Sequence, residues 1–171
     1  MDQICYKAIG IIESPFDHAI NMPVQSLLAE DLRGKIVIDP KYIDGLKDIH
    51  LFSHVYVIYH FHLSRGYELI TKPFLDNNEH GIFAIRVPRR PNPIGISIVK
   101  IEKVVKNVIY FSGVDMVNGT PILDIKPFIP AFDIPDEANS GWMNVKKAEL
   151  LNTKSDNRFV KKNQGSSQND H

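Results

Sequence analysis

The sequence predicts a mainly all-β protein, a single antiparallel β-barrel with short helices and long wrapping loops. Two observations point there. Short runs of β-branched and aromatic residues recur at roughly ten-residue spacing, the pattern of a closed or nearly closed barrel. Turn signals fall between them, at Asp39-Pro40, Lys106-Asn107 and Asn118-Gly119. Helical periodicity is scarce, and no repeat of fixed period is present.

The runs, in order, are CYKAIGII (5–12), GKIVI (34–38), SHVYVIYHF (53–61), GIFAIR (81–86), ISIVKIEKVV (96–105) and NVIYFSGV (107–114). PILDIK (121–126) and NVKKAELL (144–151) are weaker strand candidates. Val104 to Val108 reads as a tight hairpin across Lys106-Asn107. PKYIDGLKDI (40–49) fits a short helix, with Asp39 as its cap and Pro40 at the first helical position. Residues 13–33 show no clean period. Residues 127–143 hold three prolines and read as an ordered loop wrapped over the barrel. From Thr153 onward the chain is polar and poor in core formers. The expected organisation is therefore one barrel domain over 1–152 and a disordered or partly ordered polar tail over 153–171.

Bulk properties narrow the classes of function. The chain has 171 residues, enough for one domain with a sizeable core. Its 20 basic and 20 acidic residues cancel, so nucleic acid must be met by a local patch or an oligomer. Cys5 is the only cysteine, which rules out an intramolecular disulfide and a cysteine-based metal site and fits a cytoplasmic setting. No run approaches the ~20 apolar residues that span a bilayer. MDQICYKAIG lacks the basic-then-apolar order of a signal peptide.

Three stretches carry chemistry. In RVPRRPNPIGIS (86–97), Pro88, Pro91 and Pro93 stiffen the backbone, and stiffness lowers the entropy lost on holding a ligand. Arg86, Arg89 and Arg90 offer planar forks suited to phosphate or carboxylate. Gly95 permits a close approach just before the strand at 96–105. The bland reading of the same stretch is a rigid surface loop with solvated arginines. In SGVDMVNGTPILDIKPFIP (112–130), Asp115 precedes a turn, and Asp124 and Lys126 share one face of a strand. An exposed ion pair worth little is the competing reading there. In the histidine-rich strand, His54, Tyr56, Ile58, His60 and His62 point one way, while Val55, Val57, Tyr59, Phe61 and Leu63 face the core. His60 and His62 at i and i+2 could take a metal, but no third ligand stands at a persuasive spacing.

Taken together, FSHVYVIYHFH, RVPRRPNPIGIS and DMVNGTPILDIKPFIP resemble the signature blocks of the TsaA-like family, also called TrmO. IGIIESPF resembles the family's opening, and the likeness covers about residues 5–152. Members are S-adenosylmethionine-dependent tRNA adenosine N6-methyltransferases. The resemblance implies an antiparallel barrel, unlike the parallel-sheet methyltransferases, and agrees with the absence of a Gly-rich βαβ fingerprint. It implies a homodimer with cofactor sites near the subunit contact. It implies S-adenosylmethionine contacts at Gln25, Ser26 and Leu27, at His62 and Leu63, at Arg86, at Ile96, and at Ile122, Leu123, Asp124 and Ile125. The implied substrate is the adenosine immediately 3′ of a tRNA anticodon, bearing an N6-threonylcarbamoyl group. The best-known bacterial members carry a further C-terminal domain where this chain has its short polar tail.

Chemistry and block position make Asn92, Asp115 and His62 the candidates for orienting the target amine or accepting its proton. Arg89, Arg90, Lys126, Lys146 and Lys147 are the candidates for tRNA phosphates, with Lys100, Lys103, Arg158, Lys161 and Lys162 in reserve. The expected division of labour sends Arg86 to the cofactor and Arg89 and Arg90 to RNA. Two other readings remain: a sensor module that binds the cofactor without transferring its methyl, and a metal hydrolase using His54, His60 and His62.

Overall fold

A computed structural model describes residues 3–20, 22–23, 26, 29, 31–73, 76–143 and 155. Six strands close a barrel: β1 (Gly10–Glu13), β2 (Arg33–Ile38), β3 (His54–His60), β6 (Ile94–Val105), β7 (Val108–Ser112) and β8 (Pro121–Pro127). Their order around the barrel is β1-β2-β7-β6-β3-β8, every pairing is antiparallel, and β8 returns to β1. A separate ribbon pairs β4 (Ile70–Thr71) with β5 (His80–Gly81).

Alternation along each strand sets the core. On β3, Val55, Val57 and Tyr59 are buried, while His54, Tyr56, Ile58 and His60 lie on the outer, half-buried face. Val55 and Val57 meet Ile12, Ile36, Val99, Ile109, Phe111 and Ile122 in the interior. The β6–β7 hairpin turns at Lys106-Asn107 as expected, with Lys106 at φ 54°. The Asn107 amide donates to the Ile38 carbonyl at 2.7 Å, which ties the turn to the end of β2. Asp39 caps the short helix that follows β2, accepting from the Lys41 N–H at 3.1 Å. That helix is a 3-10 segment over Pro40–Leu46, followed by a second over Ile49–Leu51.

Two expectations change. The first strand begins at Gly10 rather than at residue 5, because only Gly10–Glu13 finds a partner in β2 and residues 3–8 lie exposed. The stretch 81–86 is not a strand beyond Gly81 but a 3-10 turn over Ile82–Ala84. Ile82, Ile85 and Val87 all turn inward and build a second small core with Trp142. The three-residue step from Ile82 to Ile85 suits a tight helical turn, and from Ile85 the backbone is extended again. Within the wrapping segment 127–143, Pro130–Asp133 forms a helical turn, α1. The strand candidate at 144–151 lies outside the described residues. Of the tail, Ser155 is described, and it is docked rather than loose: it exchanges two hydrogen bonds of 2.9 Å with the Met22 backbone.

Among the described residues, no helix is long and apolar enough to cross a membrane, and no cluster of three or more His, Cys, Asp or Glu is placed to hold a metal ion.

Candidate active site

The chemistry-bearing blocks converge at one end of the barrel, around a cavity of about 600 Å3. Three segments build its walls. The first is the chain leaving β3, Tyr59 to Ser64. The second is the arginine-proline loop, Ile85 to Arg90, with the start of β6. The third is Asp115 to Thr120, between β7 and β8. Residues 18–20, Met22, Pro23 and Ser155 close a further side.

Local hydrogen bonds explain how these segments hold together. After β3 the chain turns tightly, with Ser64 N–H bonded to the Phe61 carbonyl at 2.9 Å. The Phe61 N–H reaches the Pro93 carbonyl at 2.8 Å, and the Ser64 hydroxyl reaches the Pro88 carbonyl at 3.0 Å. Proline carbonyls accept without an N–H of their own to satisfy, so the stiff loop docks on this turn by its acceptors. Arg90 Nη1 donates to the Ile82 and Ile85 carbonyls at 3.1 and 2.7 Å, lacing the loop to the 3-10 turn. Trp142 stacks on His80 with centroids 4.1 Å apart, and its Nε1 donates to the Ala84 carbonyl at 2.9 Å. His80 in turn bonds Asp76 at 2.8 Å and holds that carboxyl well below its usual range, at about 2.

The polar centre is Asp115. The Ser97 hydroxyl donates to its Oδ1 at 2.8 Å. Tyr59 and Ser97 hydroxyls stand 3.3 Å apart, and since the Ser97 proton goes to the carboxylate, donation runs from Tyr59 through Ser97 to Asp115. Burial pushes the Asp115 carboxyl up to about 7, against hydrogen bonds from Ser97 and from backbone N–H groups that favour the charged form. Burial also pushes the Tyr59 phenol up, which keeps it a donor. Across the cavity, His62 Nδ1 lies 3.5 Å from the Thr120 hydroxyl, at the outer limit of a hydrogen bond. The hydroxyl itself donates to the Val117 carbonyl at 2.6 Å. Burial lowers the affinity of the His62 imidazole for a proton, and like-charge repulsion from His60 and Arg65 adds to it.

Gly95 belongs to β6, opposite Tyr59 in the register. A Cβ there would overlap the Tyr59 ring at Cε2 and Cζ and stand 2.8 Å from its hydroxyl. The close approach expected at Gly95 is therefore made by an aromatic ring packed inside the barrel mouth.

Of the residues singled out from the sequence, His62, Leu63, Arg86, Ile96 and Asp115 line this cavity, and so does Arg90. Arg90 was expected to face RNA beside Arg89. The structure turns it inward because its Nη1 caps two loop carbonyls. Ser26 is buried next to the site, with its hydroxyl on the Ile98 carbonyl at 2.8 Å and its backbone N–H on Asp115. Asn92 is exposed and off the cavity wall, and its carbonyl accepts from Ile94 N–H at 2.7 Å.

Ile122, Leu123, Asp124 and Ile125 do not line the cavity of their own chain. Ile122 is core at 0% exposure, and Asp124 pairs with Lys126 at 2.8 Å on the outer face, the ion pair that was the competing reading. Gln25, Leu27, Lys146, Lys147, Arg158, Lys161 and Lys162 lie outside the described residues.

Sequence reasoning missed Tyr59 as a site residue, having assigned it to the core, and it missed Ser97, Thr120 and Phe83. Tyr59 and Ser97 were open to discovery: both sit on inward positions where a hydroxyl needs a partner. Phe83 gave no such signal, since its exposure follows from the 3-10 turn.

Residues 11–134 match the family described as tRNA-methyltransferase O N-terminal domain. The chain belongs to that family. The match spans all three walls of the cavity, while Trp142 and Ser155 lie beyond it. A "Probable S-adenosyl-L-methionine-binding protein" of Pyrococcus abyssi is 42% identical over 160 residues, which is 94% of this chain and 87% of that protein. The human "tRNA (adenine(37)-N6)-methyltransferase" is 36% identical over 138 residues, 75% of this chain but 31% of that protein. Among solved structures, TrmO from Pseudomonas aeruginosa superposes with a TM-score of 0.70 at 32% identity, covering 82% of this chain and 63% of that one. The chain thus spans most of its archaeal relative but less than two thirds of that TrmO structure and about a third of the human enzyme.

Proposed function

We propose that this protein is an S-adenosylmethionine-dependent tRNA methyltransferase acting on N6 of the adenine at position 37, immediately 3′ of the anticodon, as the names of its relatives state for them. The observation that carries the reading is the cavity. It joins the three blocks shared with the tRNA-methyltransferase O family into one site of a size and chemistry suited to the cofactor.

The fit is chemical. S-adenosylmethionine presents a sulfonium, an ammonium, a carboxylate and a flat heteroaromatic base. The cavity offers Arg86 toward a carboxylate, with Leu63, Ile94 and Ile96 for apolar contact. When bound, the cofactor supplies an activated methyl and a good leaving group. The protein's task is to orient the exocyclic amine of adenine against that methyl and to exclude water. An anticodon-loop base can be splayed out into such a site.

The rim of the cavity is unusually apolar: Phe83 is 80% exposed, Leu63 57%, Ile96 51% and Ile94 40%. Such a patch supports a homodimer in which a second copy covers the mouth and places the cofactor beside the contact. Residues 122–125, remote from the cavity of their own chain, would then contact the cofactor from across the interface. We place the protein in the cytoplasm, with its substrate. The barrel at 1–152 acts as one domain, and cations outside the cavity, Arg89 among them, meet tRNA phosphates.

Incubation with methyl-labelled S-adenosylmethionine and bulk tRNA tests the reading. Label should appear in tRNA, and digestion to nucleosides should place it on N6 of adenosine or of its threonylcarbamoyl derivative. Cofactor uptake without label in tRNA would overturn transfer and leave a sensor. Sedimentation should show a dimer that Phe83→Arg dissociates, and a wild-type monomer at all concentrations would remove the interface.

A further inference from the structure

We propose that Asp115 is the proton acceptor of the reaction, taking the proton from adenine N6 as the methyl arrives, with Ser97 and Tyr59 as positioning residues behind it. The inference rests on the function proposed above and deepens it. It starts from a placement that the sequence left open among three candidates. Asn92 stands on the exposed loop, off the cavity wall. His62 and Asp115 both line the cavity, and among the described residues Asp115 is the only carboxylate that does.

The two differ in how they are held. Asp115 receives the Ser97 hydroxyl at 2.8 Å and, through it, the Tyr59 hydroxyl at 3.3 Å. The Ser26 backbone N–H is a further donor. Every one of these groups donates, which fixes the carboxylate and leaves it an acceptor toward the cavity. The titratable and charged groups around it are Tyr59 on β3, His62 after β3, and Arg86, Arg90 and His18 on the remaining walls. None of the cationic ones shifts Asp115 toward its charged form, so burial dominates. A carboxyl that titrates near neutrality takes up and releases a proton at working pH, whereas an imidazole weakened by burial, His60 and Arg65 is the poorer base.

The step balances. The N6–CH3 bond forms and the S–CH3 bond breaks, with its electron pair passing to sulfur to give a neutral thioether. The N6–H bond breaks toward Asp115, and the proton later leaves to water. The amine needs such an acceptor because its lone pair is delocalised into the purine, so nucleophilicity rises as the proton departs.

The test compares wild type, Asp115→Asn and Ser97→Ala in single-turnover transfer to bulk tRNA between pH 5.5 and 9, with cofactor affinity by calorimetry on each. Wild type should rise with unit slope to a plateau above an inflection near 7. Asp115→Asn should lose at least about 100-fold in rate and lose the inflection, while its cofactor Kd stays within about twofold. Ser97→Ala removes a hydrogen bond that favours the charged carboxylate, so its inflection should move to higher pH. Carbon-13 NMR of the cofactor-free wild type should show one aspartate titrating near 7 that is missing from Asp115→Asn.

Asp115→Asn that keeps its rate within fivefold, or that keeps the inflection, overturns the assignment. So does a cofactor Kd that rises as far as the rate falls, which would make Asp115 the partner of the cofactor's cation instead. An NMR inflection near 4 overturns it without any turnover. Wild type that labels no tRNA at all overturns the function itself, and the acceptor role with it.

Discussion

Gly95→Ala tests the packing beneath the site. The added Cβ would stand 2.8 Å from the Tyr59 hydroxyl oxygen and overlap the ring atoms Cε2 and Cζ. The ring has little room to withdraw. It is 5% exposed, it lies edge-on to Phe61 at 5.2 Å, and its hydroxyl is tied to Ser97. Because Tyr59 and Gly95 are register partners, neither strand can shift without disturbing the β3–β6 ladder. Overpacking of a tight interior costs about 1–3 kcal/mol, and a domain of this size loses about 2–4 °C of Tm per kcal/mol, so roughly 2–12 °C should go. Scanning calorimetry measures it. The same substitution in a Tyr59→Leu background isolates the cause, since the ring is then gone and most of the cost should go with it. A Gly95→Ala variant that melts within a degree of wild type refutes the packing argument. An equal cost in both backgrounds would assign it to the strand backbone instead of the ring.

Asp115→Asn should change stability in a pH-dependent way. The folded protein holds this proton more tightly than the unfolded chain, so wild-type stability falls as pH rises from about 4 to about 7. The variant has no charge to bury. Its Tm should exceed that of wild type at pH 8, and the gap should close near pH 4. Trp142→Ala removes the His80 stack and the bond to Ala84, at a cost of about 1–3 kcal/mol. Hydrogen exchange should quicken across residues 82–90, and cofactor uptake by calorimetry should weaken with it. Arg90→Lys should loosen the loop less than Arg90→Ala, because both bonds leave one nitrogen, Nη1, and an ammonium can also donate to two carbonyls. Both should loosen the loop while leaving the salt slope of tRNA binding unchanged, whereas Arg89→Ala should lower that slope by about one.

Much of the site was legible as blocks and little of it as geometry. The arginine-proline loop, the histidine strand and the stretch from Asp115 stood out because prolines, paired charges and turn residues have local meanings. Those meanings do not say which way a side chain faces. Arg86 and Arg90 are both arginines of one stiff loop, yet only the backbone of the 3-10 turn at Ile82–Ala84 decides that Arg90 caps carbonyls. Asp124 looked as good an acid as Asp115. The difference between them is that β8 carries Asp124 to the outer face beside Lys126, while the connection after β7 carries Asp115 to the cavity wall.

By itself, the sequence determined the strands that alternate cleanly, the hairpin at Lys106-Asn107 and the capped turn at Asp39, since each depends on neighbours within a few residues. It also determined the family, through blocks whose residue order is distinctive. Only the tertiary structure decided that the strand expected at 81–86 becomes a turn, that Gly95 makes room for a ring, and that one carboxylate is held on the cavity wall by a chain of hydroxyls. The reason is distance along the chain. Tyr59, Ser97 and Asp115 come from three separate segments, and burial and hydrogen bonding set their chemistry only after barrel closure brings them within bonding reach.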